Sequence, residues 1–163
     1  MQLSNYGPSD FNDEGTLKIS ILLWGVLLYL NRHPLLVFFG GMSSLTGMRR
    51  GIDVSGVAQI YTGPLFMIAS LPAILVLIAS LRRVPKAGKL IRKIWRGGRW
   101  LLFSAAFLDC ALMIHWQMNK MQLDEVHLLG AILDIYILWY LTRSTRVRDT
   151  FADFPISSQK PGA

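Results

Sequence analysis

The sequence predicts an all-α, polytopic membrane protein with four transmembrane helices and an amphipathic basic interfacial segment between the second and third. Three observations carry that expectation. Gly63 to Leu81 contains no charged residue, and Trp100 to Met118 contains only Asp109 and His115. Each run matches the roughly 20 residues needed to cross about 30 Å of hydrocarbon. Between them, Arg82 to Arg99 gathers eight of the 17 basic residues without one acid. Lys and Arg resist translocation, so such a loop stays in the cytoplasm and orients the spans beside it.

Composition agrees. Over 163 residues, 52% hydrophobic content and a mean hydropathy of +0.39 are high for a soluble fold. The length suits one membrane domain. A net charge of +7 could suggest nucleic acid, but cations bunched beside membrane spans have anionic lipid headgroups as their nearest polyanion. We therefore expect a lipid partner and no nucleic acid. Cys110 is the only cysteine, which excludes an intrachain disulfide and a multi-cysteine zinc site.

Residues 1–17 are polar and rich in turn formers, and read as a short ordered cytoplasmic lead-in. Asp10, Asn12, Glu14 and Gly15 imitate the start of a calcium-binding loop, but its twelfth position falls on Ile21, which cannot supply the required bidentate acid. No basic region precedes the first apolar run and no small-residue cleavage site follows it, so the first span is read as retained. It covers 18–44 and is interrupted by Asn31, Arg32, His33 and Pro34. Proline removes a backbone donor and crowds the preceding turn, which predicts a kink at Pro34 within residues 30 to 34. A single kinked crossing would put the amino terminus in the cytoplasm. A re-entrant hairpin around Arg32 and His33 would put it outside.

Several residues of this region, Tyr6, Pro8, Asp10-Phe11, Asp13, Gly15, Leu17-Lys18, Leu23-Trp24 and Arg32, resemble the amino-terminal signature of the YfeZ-like family of small bacterial inner-membrane proteins. The resemblance implies a bacterial inner membrane and a four-span plan. It implies no substrate and no catalytic residue.

Gly47 to Thr62 reads as an external loop. The second span is 63–81, with Pro64 suited to a first helical turn and Pro72 able to bend the middle. In the basic loop, 82–99, Pro85 and Gly88 make a break. Leu90, Ile91, Ile94 and Trp95 then share one helical face, while Lys89, Arg92, Lys93 and Arg96 share the other, which is the pattern of a helix lying in the headgroup region. The alternative is a plain topology determinant without a helix.

Spans three and four, 99–118 and 123–141, form a helical hairpin around Asn119 to Gln122. Counting outward from that turn sets Asp109 level with Asp134, and His115 level with His127. Helical phase keeps all four from one spot, because Asp109 and His115 diverge by about 120°. A charged Asp at mid-membrane costs about 2.5 to 3.5 kcal/mol on insertion scales, so Asp109, Asp134 and Arg32 are the candidate polar site. They either relay protons or hold a cation, or else they specify helix packing by hydrogen bonds. Three histidines on three spans do not form a metal site, and no nucleotide or nucleophile motif is present. After Leu141, Arg143, Arg146 and Arg148 repeat the cytoplasmic signal, and residues 142–163 read as a polar cytoplasmic tail. The functional expectation is a non-enzymatic accessory or scaffold subunit without cofactor, pairing with a membrane protein or with itself. A small proton- or cation-coupled carrier is the rival.

Overall fold

The computed structural model describes residues 6–12, 15–45, 64–120 and 125–155, and among these every regular element is helical. The lead-in forms a tight hairpin. A 3-10 turn at Pro8–Asp10 is closed by the Gly7 N–H on the Asp10 carboxylate, and an isolated bridge joins Phe11 to Leu17. Gly15 makes the reversal with φ +70°, a left-handed conformation that favours glycine.

Helix α1, Ile21–Leu30, starts at Ser20, whose hydroxyl accepts the Leu23 N–H. Helix α2, Arg32–Leu45, follows after one residue, and the two axes bend by 63°. The bend lies at Asn31 rather than at Pro34. Pro34 cannot donate to the carbonyl four residues back, so the ladder opens on the amino-terminal side of the ring. The Asn31 side-chain amide donates to the Leu27 carbonyl at 2.7 Å, beside its own backbone N–H at 3.2 Å, and so caps the end of α1. Ten residues in α1 rise only about 15 Å, so neither piece crosses a bilayer alone.

Helix α3, Pro64–Leu81, buries Ala69, Ala73, Val76 and Ala79 along one stripe and exposes Leu65, Ile68, Leu71, Leu75 and Ile78 on the other. The small residues bring its backbone close to its neighbours. Helix α4, Lys89–Lys120, runs unbroken for 32 residues. That corrects two expectations. From Lys89 on, the basic segment is the first turns of the same helix that carries Asp109 and not a separate helix. Its apolar side also faces protein: Trp95 is fully buried, Ile91 and Ile94 pack on the core, and only Leu90 is left exposed.

What covers that side is a helix hidden in the supposed polar tail. Helix α5, Glu125–Arg143, is followed at once by α6, Thr145–Ala152, capped by Ser144 and burying Val147, Thr150 and Phe151. A Cβ on Gly98 would overlap the Phe151 ring, so the glycine gives α6 its seat on α4. The Trp95 indole N–H donates to the Thr150 and Asp153 carbonyls at 3.1 and 3.0 Å. Helices α4 and α5 are antiparallel, as expected for the hairpin: Arg99 donates to the Leu141 carbonyl, Cys110 to that of Ala131, and Trp116 stacks on His127.

Three distant segments meet at the same end of the bundle. The Leu17 N–H donates to Asp153 at 2.7 Å, and Arg83 donates to the carbonyls of Leu17 and Asp153. Tyr6 donates to Asp149, and Arg146 pairs with Asp10 at 2.8 Å. The chain therefore leaves this end at residue 17 and has returned to it by residue 83. Among the described residues, α3 and α4 are long and apolar enough to cross a membrane, and the bent α1–α2 pair makes a third such unit.

The Arg146 guanidinium, with the Gly7 N–H, holds the Asp10 carboxyl below the usual carboxylate range. Burial and the hydrogen bond to Asp149 raise the Tyr6 hydroxyl above the usual phenol value. The Asp10 contribution is complete above its unfolded pKa and is lost as pH falls through the depressed folded value. The Tyr6 contribution is complete below its unfolded pKa and is lost as pH rises through the raised one. Spin labels at Ser9 and Ala152, in a Cys110→Ser background, should hold one short distance between about pH 5 and 9. The distribution should broaden on both sides of that window, and broadening on one side alone would contradict the pairing.

Candidate functional site

The break between α1 and α2 creates a demand before it creates a site. A helix ending at Leu30 leaves carbonyls without partners, and a helix opening at Arg32 presents N–H groups and a positive dipole end. Two basic side chains, Arg32 and His33, stand in the first turn of α2, where that dipole opposes them. They need an anion, and Asp109 of α4 supplies it.

Arg32 Nη2 meets Asp109 Oδ2 at 2.5 Å, and His33 Nε2 lies 3.2 Å from Oδ1, so both carboxylate oxygens are engaged. Arg32 Nη1 also donates to the Tyr29 carbonyl at 3.1 Å, one of those left by the end of α1, and the guanidinium sits 4.0 Å above the Tyr29 ring. Tyr29 in turn donates its hydroxyl to the Gly130 carbonyl on α5. His33 stacks on Phe66 of α3 with ring centres 5.0 Å apart. One charged centre thus ties α1, α2, α3, α4 and α5 together.

Asp134 of α5 is fully buried within electrostatic reach of Asp109 and Arg32. Neither of its oxygens has a hydrogen-bond donor among the described residues. The cluster is dry. A crevice of about 240 Å³ beside it is lined by Tyr29, Arg32, Met113 and apolar residues, and neither acid reaches its wall.

Asp109 and Asp134, which the hairpin count set at one depth, therefore meet, and Arg32 joins them. The other two candidates do not. His115 is exposed on α4 and bonds Asn119, while His127 is buried against Trp116, two turns from Asp134. His33 is the residue that sequence reasoning missed. Its signal was electrostatic: adjacent cationic groups opening a buried helix call for an intramembrane acid. Cys110 is buried beside the Ala131 carbonyl, and no group of three or more metal-ligating side chains occurs among the described residues.

The basic candidates occupy the first turns of α4. Arg92 is fixed on the Pro85 carbonyl at 2.7 Å and over the Phe154 ring, while Lys89, Lys93 and Arg96 are exposed.

A family model described as "Protein of unknown function (DUF2919)" matches residues 58–153, more than half of the chain. The chain belongs to the DUF2919 family. The match takes in α3 to α6, and with them Asp109, Asp134 and the Trp95 contacts, but it begins beyond the residues 6–32 that resemble the YfeZ-like proteins and beyond Arg32 and His33. No curated protein and no solved structure matches the chain. The DUF2919 description carries no chemistry, so any function must be argued from the site.

Proposed function

We propose that this chain is a non-enzymatic accessory or scaffold subunit of a membrane assembly. It crosses the bacterial inner membrane four times, with both termini in the cytoplasm. The observation that carries this reading is the engagement of both Asp109 oxygens by Arg32 and His33 inside the helix bundle. Polar groups bonded to one another across helices serve packing, and the crevice beside the cluster is lined by Arg32 but by neither acid.

The topology has separate support. Residues 17, 83 and 153 bond at one end, which fits an even number of crossings before and after the basic loop. That favours one broken crossing by α1 and α2 over a re-entrant hairpin. The antiparallel run of α5 along α4 supports a fourth crossing, and the cationic loop supports a cytoplasmic location for this end. Resemblance to the YfeZ-like proteins supports the bacterial inner membrane. There Lys89, Arg92, Lys93 and Arg96 contact anionic headgroups.

A photo-crosslinker at Leu75, exposed on α3, should capture a second copy or one defined membrane protein in native membranes. The same probe at buried Val76 should not. A chain that purifies as a monomer and gives only lipid adducts from Leu75 would overturn the scaffold reading.

Asp134 favours the second reading, a small proton- or cation-coupled carrier. A buried carboxyl without a donor is costly to keep, and such a group inside a membrane marks an ion or proton path as readily as a packing contact. Asp134→Asn is expected to fold with a stability unchanged or higher by about 1 kcal/mol. In liposomes the wild type should show no flux for Asp134→Asn to abolish. Flux that is present in the wild type and lost in this variant would replace the scaffold by the carrier.

A further inference from the structure

We infer that the cytoplasmic end of α4 holds a specific site for an anionic phospholipid carrying two phosphates, with Arg96 shared between them. This deepens the headgroup contact described above and rests on the membrane reading.

Two cavities adjoin at this end. One, about 290 Å³, is lined by Lys89, Arg92, Lys93 and Arg96; the other, about 360 Å³, is lined by Arg96, Arg99, Trp100, Arg148, Phe151 and Ala152. Arg96 stands in both walls and no acid stands in either. Six cations so placed would repel one another unless an anion joined them.

The first cavity sits on the start of α4, whose first turn has no acid, so the helix dipole opposes Lys89 and Arg92 and favours a bound anion. Arg92 is already immobilised by Pro85 and Phe154, and its Nε is buried without a partner. In the second cavity Arg99 is fixed by the Leu141 and Thr142 carbonyls at 2.9 Å each. Arg148 is exposed and lies 3.8 Å from Asp149. Each cavity thus has one preorganised guanidinium and further exposed cations, which suits one phosphate apiece.

The remaining surface says that the anion is a lipid. Arg96, Trp100, Phe103 and Phe107 follow one another at spacings of four, three and four along α4, so they share a face. Trp100 and Phe107 are exposed, and the Trp100 and Phe103 rings meet edge to face. A headgroup on Arg96 would lay its acyl chains down this aromatic track, whereas a free phosphate would leave the track uncovered.

The test is native mass spectrometry of the full chain in detergent, with diphosphatidylglycerol competing against phosphatidylglycerol at equal total phosphate. The two-phosphate lipid should bind about fivefold more tightly, the scale expected when one extra cation-phosphate contact forms at a membrane surface. Arg96→Ala and Arg148→Ala should each bring the two lipids within about threefold of each other, a small residual in the same scale. Arg143→Ala, exposed at the same end but outside both cavities, should keep the preference. Brominated acyl chains should quench the wild type more than Trp100→Phe. Equal binding of the two lipids, a preference surviving Arg96→Ala, or release of the lipid by millimolar inorganic phosphate would each overturn the site. A chain that floats with vesicles yet shows no preference loses this site alone. One that stays soluble without detergent loses the membrane reading too.

Discussion

Asp109→Leu should destabilise the protein by about 3–5 kcal/mol, the range for removing one partner of a buried ion pair. The carboxylate accepts from both Arg32 and His33, whose side chains are almost enclosed, so its loss leaves a guanidinium inside the bundle without its hydrogen-bonded partner. The cost does not lie in the pair as such. Replacing both partners, with Arg32→Met and Asp109→Leu together, should recover more than half of the loss, because a matched apolar pair is often as stable as the charged one. Thermal unfolding in detergent measures both variants. A double variant no more stable than the single one would show that Asp109 acts through something other than Arg32.

Trp95→Ala is expected to cost about 3–5 kcal/mol, as for other large aromatic truncations in a packed core. The indole is fully buried, meets the Phe151 ring at 4.8 Å, lies beneath the Arg83 guanidinium and donates to two carbonyls at the end of α6. Trp95→Phe keeps most of the bulk and should lose only about 1–3 kcal/mol, the cost of the Thr150 carbonyl left without the indole donor, since Arg83 still donates to that of Asp153. Limited proteolysis should cut Trp95→Ala within residues 144–155 while sparing α5. If α5 were cut as readily, the α6 contacts would not be a separable unit.

Much of the bundle was legible because apolar run length and cation placement are one-dimensional quantities. The uncharged α3, the depth match of Asp109 with Asp134 and the break near Pro34 all followed from counting. The exact bend at Asn31 did not, because it depends on which carbonyls the proline ring frees. Trp95 was assigned to lipid because its helical face is amphipathic, and amphipathicity does not say whether lipid or protein covers the apolar side. The cover was α6, whose signal was short: Ser144 as a cap, then Val147 and Phe151 four residues apart among charges. His33 was hidden for a related reason. Its partner lies 76 residues away, and only the packing of α2 against α4 joins them.

The hydrogen bond between Tyr6 and Asp149 spans 143 positions. Synthesis runs from the amino terminus, and early segments settle before later ones exist. The lead-in emerges well before its docking surface on α6, so it reaches its final contacts only after the whole of the intervening chain has been made. A premature stop before residue 145 would therefore be felt at the opposite end of the polypeptide, as a lead-in with nothing to close upon.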